Sequence, residues 1–464
     1  MKNKYISVLI LTTLSLNSCS EGFFNLTPNY EVTVESVYKT DSDFNIALMG
    51  CYAKLQTQNS YYLELCEFRS DNLYLNAPTA GTQDRYDLDQ FKDVATNGIL
   101  GELWANFNNG VYRCNLILDR IDAADIDAKI KAQYKAEAMV IRAFTYFNMY
   151  RAWGCVPVTT KVVSVAEALK IGRCTKEEMY NLLSGDLEEV VNNSMLPASY
   201  KGDNSGRITL GAARALLAKV YLTFGKAQSA ANVLSDMIGK YSLLPNIADV
   251  FKVDNSLNNE IIWAIRYNKT IVGEGHGAWY SITNLTDDNN QTMTLKSLYS
   301  PEDSRKSMIE YSKVPGVSVC LMKKFFDTPD AATKQYGNDF IVLRYSDVLL
   351  MYAEALNEVA YDGSSNSKAF AFLNEVRQRA GLAALSAVEI PDQVSFRKAI
   401  LLERHKEFPY EGQRWFDAIR LGGATEAATA EGHEIQEYQF LFPIPNTELD
   451  RINDRKLLWQ NPGY

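Results

Sequence analysis

The chain has 464 residues, of which 47% are hydrophobic and 11% aromatic, so it is long and apolar enough to bury a large core. Its formal charge at neutral pH is −9. Proteins that bind nucleic acids or anionic lipid surfaces rely on clusters of Lys and Arg, so this acidic balance argues against both partners.

The first twenty residues have the order of a secretory signal. Lys2 and Lys4 form a short positive region, and residues 5–16 form an apolar stretch that is too short to span a bilayer. The stretch ends in Leu-Asn-Ser-Cys19, which resembles a bacterial lipobox. We therefore expect residues 1–18 to be a signal peptide and the Cys19 thiol to carry the acyl chains of a membrane anchor.

Helical periodicity dominates the rest of the chain. Apolar residues recur every three or four positions over residues 41–58, 100–121 and 133–153, which predicts three amphipathic helices. The third is expected to end at Gly154, with Pro157 just beyond it. The short apolar run at residues 261–265 predicts a strand.

Later stretches have the pattern of tetratricopeptide helix pairs. Small residues on the facing sides let two helices approach closely, and stacked pairs bury a continuous core. The predicted pairs are residues 210–224 with a helix from Ala227, residues 346–360 with 369–380, and a weaker pair of 133–153 with 175–192. The predicted fold is mostly α: these pairs form a scaffold that carries a helical and loop-rich remainder with few short strands.

Signatures of catalysis are nearly absent. The three His (His276, His405 and His433) lie far apart without an HExxH motif, so neither a zinc site nor another metal is expected. No GxSxG elbow occurs, and the Gly-rich run at residues 273–277 is interpreted as a turn rather than a phosphate loop. A carboxylate pair for glycoside hydrolysis stays open among 56 acidic residues, and an enzyme with such a pair is the third alternative, although no sequence block places the pair in a cleft. We expect a binding protein without cofactors, not an enzyme.

Seven Cys are present, and six remain after Cys19. They show no CxxC motif and no regular spacing, so most are predicted to be small buried apolar residues. One or two disulfides stay open, because the pairing of an exported chain cannot be deduced from its sequence.

Several blocks, in order along the chain, resemble those of the SusD/RagB family. They are residues 142–157 (RAFTYFNMYRAWGCVP), 207–222, 343–358, 373–382, 403–420 (ERHKEFPYEGQRWFDAIR), 442–445 and 460–464. His405 stands where the family more often has Arg. Together with the lipobox the blocks cover the whole chain, so residues 19–464 are expected to form one SusD-like body. Residues 19–225 would be its N-terminal region, and residues 226–464 its C-terminal region with a loop-rich insertion at 268–315.

The resemblance implies a role and a partner. It implies a surface lipoprotein of the outer membrane that captures glycan and acts as the lid of a SusC-like TonB-dependent barrel. The alternative within the family is a RagB-like partner of a peptide importer. A glycan groove should be aromatic and shallow, whereas a peptide site should expose backbone-pairing groups and have an acidic or mixed lining.

The charged block at residues 403–420 invites an acid-base interpretation. Its charges recur at three and four residues, a spacing that favours ion pairs along and between helices. We therefore expect the block to be structural.

Two polar, aromatic-rich segments are the candidate binding regions: residues 61–96 and 268–315. Loops of this length inside a compact domain are usually functional or disordered. In glycan-binding members of the family, an aromatic arc between the corresponding regions holds the sugar. The candidate ligand residues are Asp71, Asn72, Tyr74, Arg85 and Tyr86 in the first segment and His276, Trp279, Tyr280 and Asn290 in the second. Trp279 is the sharpest candidate, because a Trp in a Gly-rich polar loop has little core to enter.

Overall fold

The computed structural model describes residues 38–78, 81–276, 292–313 and 320–464. The N-terminal part contains α1 (Asp41–Gln56), α2 (Asn59–Tyr62), α3 (Gln83–Asp89), α4 (Gly98–Ile121), α5 (Ala128–Trp153), α6 (Val165–Ala168), α7 (Lys176–Asn192), α8 (Leu210–Thr223) and α9 (Ala227–Ser235). The C-terminal part contains β1 (Ile261–Ile265), α10 (Met293–Ser297), β2 (Tyr311–Lys313), β3 (Cys320–Met322), β4 (Phe340–Arg344), α11 (Tyr345–Val359), α12 (Lys368–Arg379), α13 (Gln393–Glu407), α14 (Arg414–Leu421), α15 (Ala424–Ala430) and α16 (Asn446–Ile452). The expectation of a mostly α fold with few short strands is confirmed.

Side-chain caps decide where the long helices begin. Asn97 accepts hydrogen bonds from the first backbone N–H groups of α4, and Asp127 does the same for α5. Both helices therefore start a few residues earlier than their apolar periodicity predicts. The predicted end of α5 is confirmed, since Gly154 follows it with a φ of 73°, a left-handed value that favours glycine.

The tetratricopeptide-like pairs stack into one scaffold. Helix α5 packs on α7, α7 on α8, α8 on α9, α9 on α11, and α11 on both α12 and α13. The segment after α9 also packs closely on this scaffold, since a Cβ placed on Gly211 of α8 would collide with the Tyr241 hydroxyl. The two predicted pairs and the weaker third pair are therefore confirmed as neighbours in one continuous stack.

Short antiparallel strand pairs complete the described fold. Strand β1 pairs with β4, with a register shift at Trp263, and β2 pairs with β3. The predicted strand at Ile261–Ile265 is confirmed, and it is buried along its whole length. The β1–β4 pair joins the end of the N-terminal half to the start of α11.

The first polar segment is not the open loop that its composition predicts. Tyr61 and Tyr62 are core residues with 0% and 3% exposure, and a π-helical turn at Leu63–Phe68 follows them. The Tyr61 ring stacks on Phe416 at 5.7 Å. The prediction of a loop was wrong here because many partners of these polar and aromatic residues lie far away along the chain, as Phe416 does from Tyr61 and Phe340 from Tyr62, where local composition cannot reveal them.

The charged block at residues 403–420 forms the predicted ion pairs, and they are buried. Arg344 is 1% exposed and contacts Glu260, Glu407 and Glu411 at 2.5 to 3.0 Å. We call this group and its further partners the buried ion cluster: Arg305, Arg344, Arg379, Lys324, Glu260, Glu403, Glu407 and Glu411. A charge buried with its counter-ions is costly to unpair, so the cluster fixes how the C-terminal helices meet.

Cysteines follow the prediction of buried apolar residues. Cys51, Cys66, Cys114 and Cys174 are buried and Cys155 is half-buried, all as free thiols. Among the helices of the described ranges, none is long and apolar enough to cross a membrane.

Candidate functional site

The two polar segments meet in space. Thr292 follows the part of the second segment that lies outside the described residues. Its hydroxyl donates to the Asp71 carbonyl oxygen at 2.6 Å, and its backbone N–H donates to the Asn72 carbonyl oxygen at 3.2 Å. The chain therefore returns from the second segment directly onto the first.

Asp71 and Asn72 take part in this junction as structural residues. The Asp71 carboxylate is 3% exposed and accepts both hydrogen bonds of the Arg414 guanidinium, at 2.6 and 2.7 Å. Burial alone would raise the pKa of Asp71, but His405 and Arg414 hold it at about 2. Asn72 is fully buried and donates to Glu67 at 2.7 Å. Neither side chain faces a ligand, so the site proposed below leaves both out.

The remaining described candidates separate into three kinds. The Arg85 guanidinium is 24% exposed but already holds Glu64 through Nε and Nη2, so it has little left for a sugar. His276 is 5% exposed, and its ring packs edge-on against Tyr267 at 5.0 Å. Burial lowers the pKa of His276 to about 4, so the ring is neutral at physiological pH. Tyr74 and Tyr86 are the two that remain partly exposed.

Trp279, Tyr280 and Asn290 lie outside the described residues, as does Cys19. The interpretation of these four residues therefore stays with the sequence.

A cavity of about 310 Å³ opens beside Tyr74, and we call it the Tyr74 cavity. Its wall is formed by Ser70, Leu73, Tyr74, Asp89, Gln90, Phe91, Ala427, Ala428, Glu431, Gly432 and His433. The Thr294 hydroxyl donates to Glu431, which ties the returning second segment to this wall. The cavity thus lies where the two polar segments and helix α15 converge.

Aromatic rings give the cavity its apolar face. Phe91 lies against His433 at 5.3 Å and against Trp415 at 5.5 Å, and the Arg69 guanidinium lies 3.9 Å above the Phe91 ring. Phe91 has a φ of 56°, a left-handed conformation that a bulky side chain rarely adopts. Such strain persists only where the surroundings impose it, and it is found most often at functional sites.

Its titratable groups depart from their ordinary behaviour. Burial raises the pKa of Asp89 to about 6, and the carboxylate accepts only neutral donors in hydrogen bonds: the Gln90 amide at 2.7 Å and the Leu75 backbone N–H at 3.2 Å. Burial also raises the pKa of Glu431, and burial together with Arg69 and Lys92 lowers that of His433. A cavity with convergent polar groups and perturbed pKa values is a candidate ligand site.

Sequence analysis missed most of this wall. Of the predicted ligand residues that the structure describes, only Tyr74 lines the cavity, and Asp89, Gln90, Glu431 and His433 were not selected. Asp89 and Gln90 lie inside the first polar segment, so the region was identified but not the side chains. Glu431 and His433 follow a plain Ala-rich helix, where no local signal marks them.

Comparison with known proteins identifies the family. A model described as the SusD family matches residues 265–464, and a model described as starch-binding associating with outer membrane matches residues 29–222. The chain belongs to the SusD family, as its sequence blocks predict.

Individual relatives are similar over nearly their whole length. The chain is 26% identical to SusD-like protein P25 of Formosa agariphila, with 97% of this chain and 94% of that protein covered. It is 24% identical to a SusD-like protein of Bacteroides ovatus, with 90% and 82% covered.

Solved structures share the fold. Surface glycan-binding protein A from Bacteroides fluxus matches with a TM-score of 0.78 and 24% identity, covering 92% of this chain and all of that one. A laminarin-binding SusD-like protein matches with a TM-score of 0.75 and 25% identity over the same shares. The homologous protein A from Bacteroides thetaiotaomicron, solved in complex with laminarihexaose, matches with a TM-score of 0.76 and 24% identity over 91% of this chain and 100% of that one.

Proposed function

We propose that this protein is a cell-surface glycan-binding lipoprotein that captures oligosaccharide at the Tyr74 cavity and passes it to a SusC-like TonB-dependent barrel in the outer membrane. The observation that carries the proposal is the composition of the cavity wall. Sugars present apolar ring faces edged with hydroxyls, and the wall offers Tyr74 and Phe91 for the faces and Asp89 and Glu431 for the hydroxyls.

The charge of the wall favours a neutral sugar. Asp89 and Glu431 are carboxyls, and the Arg69 guanidinium beside Phe91 is directed to Asp93 at 2.7 Å. An acidic sugar would meet like charges, which is a common means of rejecting a wrong ligand. Neutral glucans are the first ligands to test, since one structural neighbour is named as laminarin-binding and another was solved in complex with laminarihexaose.

We propose that the described wall serves binding rather than bond cleavage. Glycoside hydrolysis needs two carboxyls that face each other across the scissile bond. The Asp89 carboxylate instead turns toward Leu75 and Gln90, and Glu431 accepts the Thr294 hydroxyl. We therefore propose a carrier that releases its glycan intact and uses no cofactor.

Residues that the structure does not describe extend the proposal. Trp279, with Tyr280 and Asn290, would supply a further stacking platform, because the chain that follows them returns at Thr292 onto Asp71 and Asn72 of the first segment. Cleavage before Cys19 and acylation of its thiol would anchor the protein to the outer membrane.

The binding test is calorimetric titration of the soluble domain with a panel of neutral oligosaccharides, acidic oligosaccharides and peptides. We expect a neutral oligosaccharide to bind, and Tyr74→Ala and Trp279→Ala each to weaken it by at least about tenfold, as the loss of a central aromatic anchor does. Tyr112→Ala is the matched control, because Tyr112 is a tyrosine 45% exposed on α4.

Folding is checked by the thermal midpoint of each variant. A large fall in that midpoint for Trp279→Ala, with binding retained in the folded fraction, would show that Trp279 is a core residue. Binding of peptides alone would replace the glycan role with the peptide-import alternative.

Anchoring and partnership need a separate test in cells. Wild-type protein should take up labelled palmitate and copurify with a TonB-dependent barrel from the outer membrane, while Cys19→Ala should be released into the soluble fraction. A Cys19→Ala variant that stays in the membrane fraction, beside a wild type that takes up no palmitate, contradicts the anchor.

A further inference from the structure

A second cavity lies on the other side of Trp415 from the Tyr74 cavity. The buried Trp415 indole contacts Phe91 of the first cavity and Phe440 of the second. The second cavity has a volume of about 530 Å³ and opens between the C-terminal ends of α5 and α8 and helix α14. This volume is in the range of cavities that hold small ligands, roughly 300–1,000 Å³.

Aromatic rings line much of this second cavity. They are Phe147 and Tyr150 of α5, Phe224 at the end of α8, Phe416 of α14, and Phe440. Tyr150 and Phe224 stack with ring centroids 4.8 Å apart, and both are only partly buried. The stacked pair therefore presents a flat apolar edge to whatever enters.

Behind the rings lies a network of charges that is neutral in itself. Lys219 pairs with Asp347, Arg404 with Asp347 and Asp417, and Arg420 with Asp417 and Glu354. Three cations thus meet three carboxylates. Lys219 and Arg420 line the cavity, but their charges are already matched.

Arg151 and Lys176 also line the cavity, and neither forms an ion pair with a carboxylate in the part of the chain that the structure describes. The Arg151 guanidinium lies between the Phe147 and Phe416 rings, at 4.6 and 4.5 Å, and Nη2 donates to the Asn148 amide oxygen at 2.6 Å. The Arg151 Nε is buried and has no acceptor among the described residues. Lys176 stands at the rim, 5.9 Å from the Phe224 ring.

A buried donor without an acceptor costs free energy, and a guanidinium without a counter-ion forms its strongest hydrogen bonds with an anion. The positive charge of Arg151 also acts on Arg420. Burial and the nearby Arg151 lower the pKa of Arg420 to about 10, although Asp347 acts in the opposite direction. A local excess of two positive charges on a chain of net charge −9 attracts anions to this opening.

We propose that this second cavity binds a carboxylate carried on a ring, either an aromatic acid or the uronic acid residue of a glycan. The carboxylate accepts a charge-assisted hydrogen bond from Arg151 and faces Lys176 at the rim. The ring lies against Tyr150 and Phe224, where its apolar face leaves water. This site is independent of the Tyr74 cavity and goes beyond the proposed function.

The test is titration of the soluble domain with five probes: phenylacetate, glucuronate, their neutral counterparts phenylacetamide and glucose, and sodium sulfate as a ringless anion. We expect one of the two ring carboxylates to bind and the neutral counterparts and sulfate to bind far more weakly. Phenylacetate alone assigns the site to an aromatic acid, and glucuronate alone assigns it to an acidic sugar.

Variants locate the binding. Arg151→Gln removes the charge and keeps an amide donor. It should weaken binding of the carboxylate probe by at least about tenfold, which is the usual contribution of a charge-assisted hydrogen bond. Lys176 lies on the exposed rim, so Lys176→Gln should leave folding intact. It should weaken carboxylate binding less than Arg151→Gln does. Arg451→Gln is the control, because Arg451 is 64% exposed on α16 and pairs only with Glu448 in its own helix.

Tyr74→Ala should leave carboxylate binding unchanged, which separates this site from the glycan site. The proposal is overturned if neither ring carboxylate binds, if sulfate or the neutral counterparts bind equally well, or if both Arg151→Gln and Lys176→Gln bind like the wild type.

Discussion

The buried ion cluster and the Tyr74 cavity both hold carboxyls away from water, but they shift the pKa values of these carboxyls in opposite directions. In the cluster, burial alone would raise the pKa of Glu407, but the guanidinium groups of Arg379, Arg344 and Arg305 hold it well below its usual range. In the cavity, Asp89 accepts only neutral donors, and burial raises its pKa to about 6.

The difference separates a carboxyl that is compensated by cations from one that is held by neutral donors. A carboxylate surrounded by guanidinium groups already accepts hydrogen bonds from them. Its role is to fix the helices that supply these guanidinium groups. A buried carboxyl with neutral donors is poorly compensated and gains most when hydroxyls enter the cavity. Both kinds are acidic residues in polar stretches, and only their surroundings distinguish them.

Arg344→Ala should have the largest effect on folding. It would leave Glu260, Glu407 and Glu411 short of a counter-ion inside the protein, at a cost of about 3–5 kcal/mol in the free energy of unfolding. Urea unfolding measures it, with Arg451→Ala as the exposed control, expected within about 0.5 kcal/mol of wild type. A loss no larger than that of the control would show that the cluster carries little of the stability.

Arg414→Ala should cost about 3 kcal/mol, because it leaves the Asp71 carboxylate buried without its partner. Glycan affinity of the folded variant should not change. The double variant Asp71→Ala with Arg414→Ala should recover part of the loss in a double-mutant cycle. A fully folded Arg414→Ala that loses glycan binding would return Asp71 and this block to the ligand site.

Asp89→Asn should raise the free energy of unfolding at pH 7, whereas the two Arg variants lower it. The folded pKa of Asp89, about 6, lies above the unfolded value of about 3.9, so the folded state binds more protons between these values and its stability falls as pH rises from 4 to 6. Removing the charge should therefore raise stability at pH 7 by about 1–2 kcal/mol and abolish this part of the pH dependence.

The measurement is a series of urea unfolding curves from pH 4 to 7 for wild type and variant. Glu407, whose pKa is depressed, contributes with the other sign: its stabilisation is present above pH 5 and is lost as pH falls. An Asp89→Asn variant less stable than wild type at pH 7 would show that Asp89 is compensated like the cluster.

The smallest effect concerns the thiols. A hydrogen bond from the Cys174 thiol, together with Arg173 and Lys176, lowers the pKa of the half-buried Cys155 to about 7, whereas burial raises that of Cys66. Iodoacetamide at pH 7 should therefore label Cys155 first and leave Cys51, Cys66 and Cys114 unlabelled in the native state, as peptide mass spectrometry would show. Equal labelling of Cys66 would mean that its segment opens.

Much of the fold could be predicted from the sequence because the signals are local. Apolar periodicity and small-residue faces identified α1, α4, α5 and the stacked helix pairs, and five apolar residues identified β1. Helix starts shifted by two to five residues because Asn97 and Asp127 cap earlier turns than the apolar pattern marks. The three-and-four-residue spacing of residues 403–420 also predicted their ion pairs correctly.

The site was harder because its residues are defined by partners far away in the chain. Asp71 and Arg85 have the right chemistry for a sugar, but both already form ion pairs. Asp71 pairs with Arg414, and Arg85 pairs with Glu64. His276 looked exposed in a Gly-rich stretch, yet Tyr267 and Tyr336 enclose it. Glu431 became a candidate only when α15 was seen to close the cavity beside Tyr74.

The sequence by itself determined the helical scaffold, the family and the two regions where a ligand is expected, because periodicity and motif order are properties of neighbouring residues. Only the tertiary structure decided which polar side chains are free to bind. That choice depends on burial and on counter-ions supplied from distant positions. Arg414 pairs with Asp71 although 343 positions separate them, whereas the Asp89 carboxyl accepts hydrogen bonds from neutral donors only, within the described part of the chain. The free energy of a buried charge is set by what surrounds it in space, and the order of residues along the chain does not carry that information.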